Sequence, residues 1–290
     1  MTPLRRRMIE DMQIRNLALN TQETYVEQVE RFARHFRRSP ERLGPPEIRA
    51  WQLYLAQDRH LAASSISVAV AALRFLYTVT LRRPWNVSDD IPHGRQSKTL
   101  PDVLSPEEVA VFLDAVKTPK QRAILTVCYA AGLRVSEAIA LKPSAIDSQR
   151  MVIRVEAGKG QKDRYVMLSP RLLDTLRKYW KEAHPKIWLF PGNRPGQPIT
   201  RFAVEFACRE ARERSGIIRP ITPHSLRHAF AVHLLVAGTD LRTIQLLLGH
   251  GNLSTTSQYL RIATSKVCAT PSPLDALQVI APTMPDLVPA

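Results

Sequence analysis

The fold is decided by residues 221–262, which read ITPHSLRHAFAVHLLVAGTDLRTIQLLLGHGNLSTTSQYLRI. Pro223 suits the first turn of a helix, and the apolar residues after it recur at helical spacing as far as Gly238. The next apolar run predicts a second helix over roughly 241–248, and Gly249 ends it. The stretch therefore predicts two successive helices joined by a short connection.

Each part of this stretch also carries polar groups that suit the binding and chemical reaction of an anion. His224 and Arg227 are three residues apart, so they project from one side of the first helical turn. That turn also offers unpaired backbone N–H groups, which favour a bound anion. His250 follows the second helix in what we expect to be an exposed turn, and the Ser-Thr pair at 254–255 can cap a third helix that carries Tyr259. A planar cation, two imidazoles and a phenol are thus predicted to share one region.

A second informative segment, residues 131–138, reads AGLRVSEA and predicts a polar pair on an otherwise apolar helix. An arginine that faces inward must be paired or must hold an anion, because burying an unpaired charge is costly. A salt bridge between Arg134 and Glu137 and an anion site are both consistent with this pattern.

Strand signals flank a turn-rich segment, EAGKGQKDR, at 156–164. Alternating β-branched residues at 151–155 and 165–168 predict a hairpin or the edge of a small sheet. The Gly-Lys-Gly run is not a P-loop, since that motif needs a longer glycine spacing and a Ser or Thr after the lysine.

The runs HSLRHAFAVHLL, DLRTIQLLLGH and STTSQYLRI resemble the C-terminal signature of the tyrosine recombinases, the DNA strand-exchange family that includes phage integrases, Xer recombinases and Cre. AGLRVSE matches the family motif A-G-L-R-x-S-E, which implies that Arg134 binds phosphate and that Glu137 supports it. The family pattern G-K-G-x-K-x-R places a catalytic lysine at Lys159. Lys162 and Arg164 are assigned to phosphates of the DNA backbone.

The resemblance implies six catalytic residues that together cut DNA through a 3′-phosphotyrosyl link, without metal, ATP or other cofactor. Their expected roles are nucleophile for Tyr259, base for His224, phosphate clamp for Arg134 and Arg227, general acid for Lys159, and hydrogen bonding to phosphoryl oxygens for His250. Tyrosine, with a free pKa near ~10, needs a base or nearby cations to react. Guanidinium groups suit the clamp because their planar fork matches a phosphate.

Composition agrees with a polyanionic partner. The 290 residues include 41 Lys and Arg against 26 Asp and Glu, a formal net charge of +15. Such an excess favours nucleic acid over a membrane surface as the binding partner, and the resemblance implies double-stranded DNA. No apolar run approaches membrane-spanning length, and the N-terminus lacks the apolar core of a signal peptide. We therefore expect a soluble, cytoplasmic, nucleoid-associated protein.

The expected fold is mainly α with a small β-sheet, in a two-domain DNA clamp. Residues 1–86 are predicted to form a helical core-binding domain, 87–101 a linker, 102–265 an α+β catalytic domain and 266–290 a Pro-rich tail. Outside the segments above, helices are predicted at about 3–15, 21–36, 45–59, 63–80, 107–116, 121–131, 170–183 and 200–215. The resemblance implies a homo-tetramer on two DNA sites and is compatible with a monomer off DNA.

Further basic residues are candidates for DNA contact. Arg34, Arg37 and Arg38 form either a solvated helix face or a set of phosphate contacts, and both interpretations remain open. Arg95 and Lys98, in the predicted linker, are placed to follow the DNA backbone between the domains.

Two other classes of protein are weighed against a recombinase. One is a DNA-binding protein that kept the fold and lost catalysis, which the presence of all six matching residues disfavours. The other is a metal-dependent nuclease that uses His224, His228 and His250 as ligands. The general-base glutamate of an HExxH helix is missing and arginines lie adjacent, so no metal site is predicted.

Overall fold

The computed structural model describes residues 1–85, 103–156 and 163–261. The chain divides into two compact units, Met1–Thr99 and Leu100–Ala290. The predicted linker at 87–101 and the tail at 266–290 lie outside the described residues.

The N-terminal unit is helical, as predicted. Its interior is built from aromatic and branched side chains that recur at helical spacing, and Phe32, Ile48 and Leu73 are completely buried. Its helices are α1 (Pro3–Ile14), α2 (Leu19–Phe36), α3 (Pro45–Gln57) and α4 (Ala63–Phe75), with a 3-10 turn at Pro40–Arg42 and a π-helical turn at Leu76–Thr80 that continues α4.

The helix over Ala63–Thr80 corrects one expectation from the sequence. It is long and apolar enough, by length and composition, to cross a membrane, with a mean hydropathy of 1.4. The same property belongs to a core helix, and α4 packs against α2 with Val70 and Leu73 inside the unit. The Tyr77 hydroxyl, in the π-helical continuation, donates to the carbonyl of Pro40 at 2.9 Å. These contacts account for the apolar composition of the stretch within this unit.

The C-terminal unit surrounds its core with helices that begin at clear capping signals. Ser105, Thr118, Ser169, Thr200 and Thr222 each accept a hydrogen bond from a backbone N–H in the first turn of the helix that follows. The helices are α5 (Pro106–Asp114), α6 (Pro119–Ala130), α7 (Val135–Ile139), α8 (Pro170–Ala183), α9 (Arg201–Ser215), α10 (Pro223–Val236), α11 (Leu241–Leu248) and α12 (Leu253–Ser257).

A small antiparallel sheet confirms the predicted strands and adds one. It has the order β1 (Ile146–Asp147), β2 (Val152–Val155) and β3 (Arg164–Met167). Ile153 faces Val166 across the central pair, and both are buried. The two-residue β1 is too short to show a period of two in the sequence.

Two local predictions around the candidate site are wrong. Arg134 lies before α7 with extended backbone, not inside a helix. The third helix of the C-terminal stretch begins at Leu253, so residues 254–255 lie within it and do not cap it. Tyr259 is carried by the 3-10 turn Gln258–Arg261 that follows.

Candidate active site

A carboxylate, Glu137, holds the arginines of the site together. It accepts hydrogen bonds from Nη1 of Arg134 at 2.8 Å and from Nη1 and Nη2 of Arg164 at 2.9 and 2.8 Å. The backbone N–H of Arg134 donates a further bond at 2.8 Å, and Nη1 of Arg227 lies 3.6 Å away. Three guanidinium groups against one carboxylate leave a net charge of 3 − 1 = +2, which suits an anion such as a phosphate.

The electrostatics of Glu137 follow from these contacts. Its burial alone would raise the pKa of the carboxyl, but hydrogen bonds from Arg164 and Arg134 outweigh that effect and lower the pKa to about 2. Glu137 is therefore ionised at any pH near neutrality. It serves as the fixed negative charge that allows three arginines to lie side by side.

Arg227 is the most deeply placed of the three, since its side chain is only 1% exposed. It donates to the carbonyl of Gly132 and to that of Leu248, both at 2.6 Å. Its Nε is buried without a hydrogen-bond partner among the described residues. Burial, followed by repulsion from Arg134, lowers the pKa of Arg227 to about 10, so it stays charged at neutral pH.

The carbonyl that holds Arg227 depends on a glycine. Gly132 has a φ of +63°, and a Cβ there would lie 2.4 Å from the Phe230 ring. Gly216 has a φ of +72° but nothing within 4 Å of the same position. We expect Gly132→Ala to lower the free energy of unfolding by about 2–5 kcal/mol, because overpacking adds to left-handed strain.

The matched control for this change is Gly216→Ala, which carries the backbone strain alone. It should cost about 1–2 kcal/mol. Urea unfolding of the two variants measures the difference, and equal losses would show that Phe230 yields without cost.

His250 lies partly buried beside Arg227, whereas the sequence predicted an exposed turn. Nη2 of Arg227 lies 3.2 Å from Nε2 of His250, and a guanidinium can only donate. Nε2 must therefore accept, and Nδ1 carries the proton that it donates to Thr256 Oγ1 at 2.9 Å. Burial and the charge of Arg227 lower the pKa of His250 to about 4, so the ring is neutral at pH 7.

Tyr259 is held by His228, which is not among the six predicted catalytic residues. The phenol is buried, with 1% exposure, and its hydroxyl lies 2.9 Å from Nδ1 of His228. The ring of His224 lies 4.2 Å from that of His228, edge to face. The four-residue spacing of the two histidines on α10 was the signal for this contact, and it suggested only a metal pair.

Arg134 and His224 provide the accessible side of the site. The Arg134 side chain is 34% exposed, and its Nη2 makes a long 3.2 Å bond to the carbonyl of Gly249. His224 is exposed at the start of α10. Partial desolvation, then the charges of Arg227 and Arg134, lower the pKa of His224. An anion can therefore reach Arg134 and His224 from solvent, with Arg227 beneath them.

The predicted DNA contacts of Arg164 need correction. Its side chain is 12% exposed, both terminal nitrogens donate to Glu137, and its Nε donates to the carbonyl of Leu247 at 2.9 Å. Arg164 thus braces the site from inside. A sequence pattern could not separate this role from a phosphate contact, because both favour arginine.

The remaining predicted residues fall into two groups. In the N-terminal unit, Arg34, Arg37 and Arg38 are exposed, with ion pairs from Arg34 to Glu30 and from Arg38 to Glu47. The other group comprises Lys159, Lys162, Arg95 and Lys98, and lies outside the described residues.

The histidines weighed as metal ligands are engaged otherwise. His228 is hydrogen-bonded to Tyr259, and His250 lies between Arg227 and Thr256. Over residues 1–85, 103–156 and 163–261, no group of three or more His, Cys, Asp or Glu side chains could hold a metal ion.

Comparison with known proteins identifies relatives of both units. Residues 102–266 match the Phage integrase family, and residues 4–87 match the phage integrase N-terminal SAM-like domain. The chain is 61% identical to y4qK from Sinorhizobium fredii, a provisionally named integrase/recombinase, over 100% of this chain and 94% of the relative. It is 33% identical to the tyrosine recombinase XerC of Halalkalibacterium halodurans, over 81% of this chain and 85% of the relative.

Solved structures agree in fold. A lambda integrase dimer bound to a COC′ core site superposes with a TM-score of 0.74, over 88% of this chain and 93% of that one, at 20% identity. At that identity the likeness concerns the fold alone.

Proposed function

Because the chain belongs to the phage integrase family of tyrosine-type site-specific recombinases, we propose that it cuts and rejoins DNA strands through a 3′-phosphotyrosyl link made by Tyr259. The observation that carries this proposal is the grouping of a buried tyrosine and two adjacent histidines with three arginines that surround Glu137. The grouping supplies a nucleophile, imidazole bases and positive charge.

In the proposed reaction, the Tyr259 oxygen attacks a backbone phosphorus in line, and the bond from phosphorus to the 5′-oxygen breaks. The phenol proton passes to an imidazole of α10, and Lys159 protonates the departing 5′-oxygen. The phosphotyrosyl ester conserves the energy of the broken bond, so a 5′-hydroxyl from another strand can reverse the attack and rejoin the DNA. No ATP is consumed in this sequence.

Charge on the non-bridging oxygens is neutralised at two depths. Arg134, one-third exposed, donates directly to the phosphate after releasing its long bond to Gly249. Arg227 stays buried and acts through its charge, because the low dielectric around it strengthens its attraction for the phosphate. His250 fixes the position of Arg227 through its Nε2 in the resting site, and it donates to a phosphoryl oxygen only after that bond is released and Nε2 has gained a proton. With this charge available, we propose that no metal ion takes part.

The experiment that tests this function uses a nicked duplex from the DNA that flanks the protein's own gene. Attack at the nick releases a short strand and traps the covalent complex, which a denaturing gel resolves. We expect the complex to form in EDTA. A reaction that stops in EDTA and resumes with added Mg²⁺ would contradict the proposal and favour a metal-dependent nuclease.

We propose a tetramer of this chain on two DNA sites as the working assembly, acting on DNA in the cytoplasm. The basic character of the chain and its recombinase relatives support DNA as the partner. Light scattering with and without paired sites measures the assembly, and a monomer on paired sites would contradict it.

Binding to duplex DNA should depend steeply on salt. With a net charge of +15, the chain is expected to lose about 10³-fold in affinity between about 50 and about 200 mM salt, because bound phosphates release counterions. If Arg34, Arg37 and Arg38 contact phosphates, changing all three to Ala should reduce the slope of log affinity against log salt by about 3. Fluorescence anisotropy measures the slope, and an affinity that stays flat would contradict the charge argument.

A further inference from the structure

His228 stands at the reacting end of the proposed nucleophile, where the sequence pattern pointed to His224. Its Nδ1 is 2.9 Å from the Tyr259 hydroxyl. Tyr259 is almost completely buried, in a cluster that includes Phe230, Ile244 and Leu248. Bulk water therefore has little access to the phenol proton, and a protein group within hydrogen-bond distance is required to take it.

We propose that His228 is the general base that removes the proton from Tyr259 during strand cleavage, an inference that rests on the function proposed above. As the phenol oxygen bonds to phosphorus, its proton moves to Nδ1 of His228, which becomes an imidazolium. The bond from phosphorus to the 5′-oxygen breaks, and that oxygen takes its proton from Lys159. When a 5′-hydroxyl attacks the phosphotyrosyl link, its proton passes to Lys159 and the imidazolium returns its proton to the phenol, so the cycle needs no further reactant.

A second tyrosine–histidine pair, whose histidine also lies on α10, has a hydrogen bond of defined direction. Tyr129 Oη lies 2.9 Å from Nδ1 of His233, and Nε2 of His233 lies 2.9 Å from the carbonyl of Leu104. A carbonyl only accepts, so Nε2 carries the proton and Nδ1 accepts from Tyr129. The equal distance at His228 fits the same arrangement, with Nδ1 free to accept from Tyr259.

The charges that face His228 suit a base that is neutral before the reaction. Burial, then His224 and Arg227, lower the pKa of His228 to about 4, so one ring nitrogen is unprotonated at pH 7. A phosphate bound at Arg134, close to Arg227, brings negative charge that offsets the positive charge of Arg227. We expect it to raise the pKa of His228 only in part, so that the imidazole becomes a stronger base while the ring stays neutral from about pH 6 upward.

His228→Asn separates a base from a residue that only positions the phenol. The Asn side chain places its amide near the position of Nδ1, so it keeps a hydrogen bond to Tyr259 but cannot hold a proton. At pH 7 we expect cleavage of the nicked duplex in single turnover to slow by about 100-fold or more. The natural chain should show a rate that is flat between about pH 6 and 8. The cleavage rate of the variant should rise about tenfold per pH unit, because its phenol, with a pKa of about 10, must ionise before it attacks.

Two matched variants complete the comparison. His233→Asn changes the equivalent pair away from the site and should keep the flat profile and the natural rate. His224→Asn should slow cleavage yet keep the profile flat. A pH-dependent rate for His224→Asn together with a flat one for His228→Asn would overturn the proposal and make His224 the base. Faster cleavage by His228→Asn would also overturn it, because His228 would then only restrain a resting tyrosine.

A measurement on the natural chain avoids any variant that fails to fold. Nitrogen-15 NMR of labelled histidines reports which ring nitrogen carries the proton. We expect Nδ1 of His228 to be unprotonated at pH 7, and a protonated Nδ1 would overturn the proposal. Failure of the function itself looks different, since the natural chain would bind the nicked duplex and form no covalent complex at any pH.

Discussion

Tyr259→Phe is expected to abolish the covalent protein–DNA complex and leave DNA affinity nearly unchanged. Phenylalanine keeps the ring that packs beside Phe230 and Leu248, so the buried cluster stays filled. The change removes the one oxygen that can attack phosphorus from this position. A denaturing gel of the nicked-duplex reaction measures the complex, and fluorescence anisotropy measures the affinity.

Tyr129→Phe is the control for this experiment. It removes a hydroxyl from a second tyrosine–histidine pair with the same 2.9 Å geometry. Both substitutions should lower the free energy of unfolding by about 1 kcal/mol, because each breaks a part-buried hydrogen bond to a histidine. Only Tyr259→Phe should stop cleavage. A covalent band that survives Tyr259→Phe would show that another residue is the nucleophile.

Glu137→Gln is expected to lower both stability and cleavage. The amide keeps the shape of the side chain but removes the charge that Arg134, Arg164 and Arg227 share. Removing one partner of a buried ion pair costs about 3–5 kcal/mol, so the free energy of unfolding should fall by that amount. Cleavage should fall as well, because Arg134 loses the group that orients it toward the phosphate.

The control for Glu137→Gln is Asp174→Asn on α8. Asp174 pairs with Lys178 at 2.9 Å, but the two side chains are 61% and 75% exposed. Such a surface pair contributes at most about 1 kcal/mol. Urea unfolding of both variants measures the difference. Equal, small losses would show that the three arginines do not depend on Glu137.

The same carboxylate gives a pH dependence with a definite sign. The pKa of Glu137 falls from an ordinary value of 4.5 to about 2 in the folded chain. The unfolded state therefore binds the proton more tightly, and the contribution of Glu137 to stability is complete above about pH 4.5 and is lost as pH falls toward 2. In Glu137→Gln this part of the acid-induced loss of stability should disappear, whereas Asp174→Asn should retain it.

The sequence was sufficient for elements that carry local signals. Pro223 begins α10 and Gly249 ends α11, as their capping chemistry predicts. The alternation of β-branched residues identified β2 and β3. The short elements had no such signal. The two residues of β1 and the single 3-10 turn that carries Tyr259 are too short to show a period.

The residue types of the site were predictable from the sequence, but the burial of each side chain was not. Arg134 and Arg227 look alike in the sequence, yet one is 34% exposed and the other 1%. The difference arises because α6 and α10 pack together and bring the carbonyl of Gly132 onto Arg227. The contact of His228 with Tyr259 joins residues 31 positions apart, with two helices between their elements, so only the folded chain could reveal it.

The most direct test of the central claim is to identify the bond between protein and DNA. The trapped complex is digested with nuclease and trypsin, and the remaining peptide is sequenced by tandem mass spectrometry. We predict a nucleotide joined through its 3′-phosphate to Tyr259. A nucleotide on any other residue, or a 5′-phosphate link, would contradict the assignment of Tyr259 as the nucleophile that cuts the DNA strand.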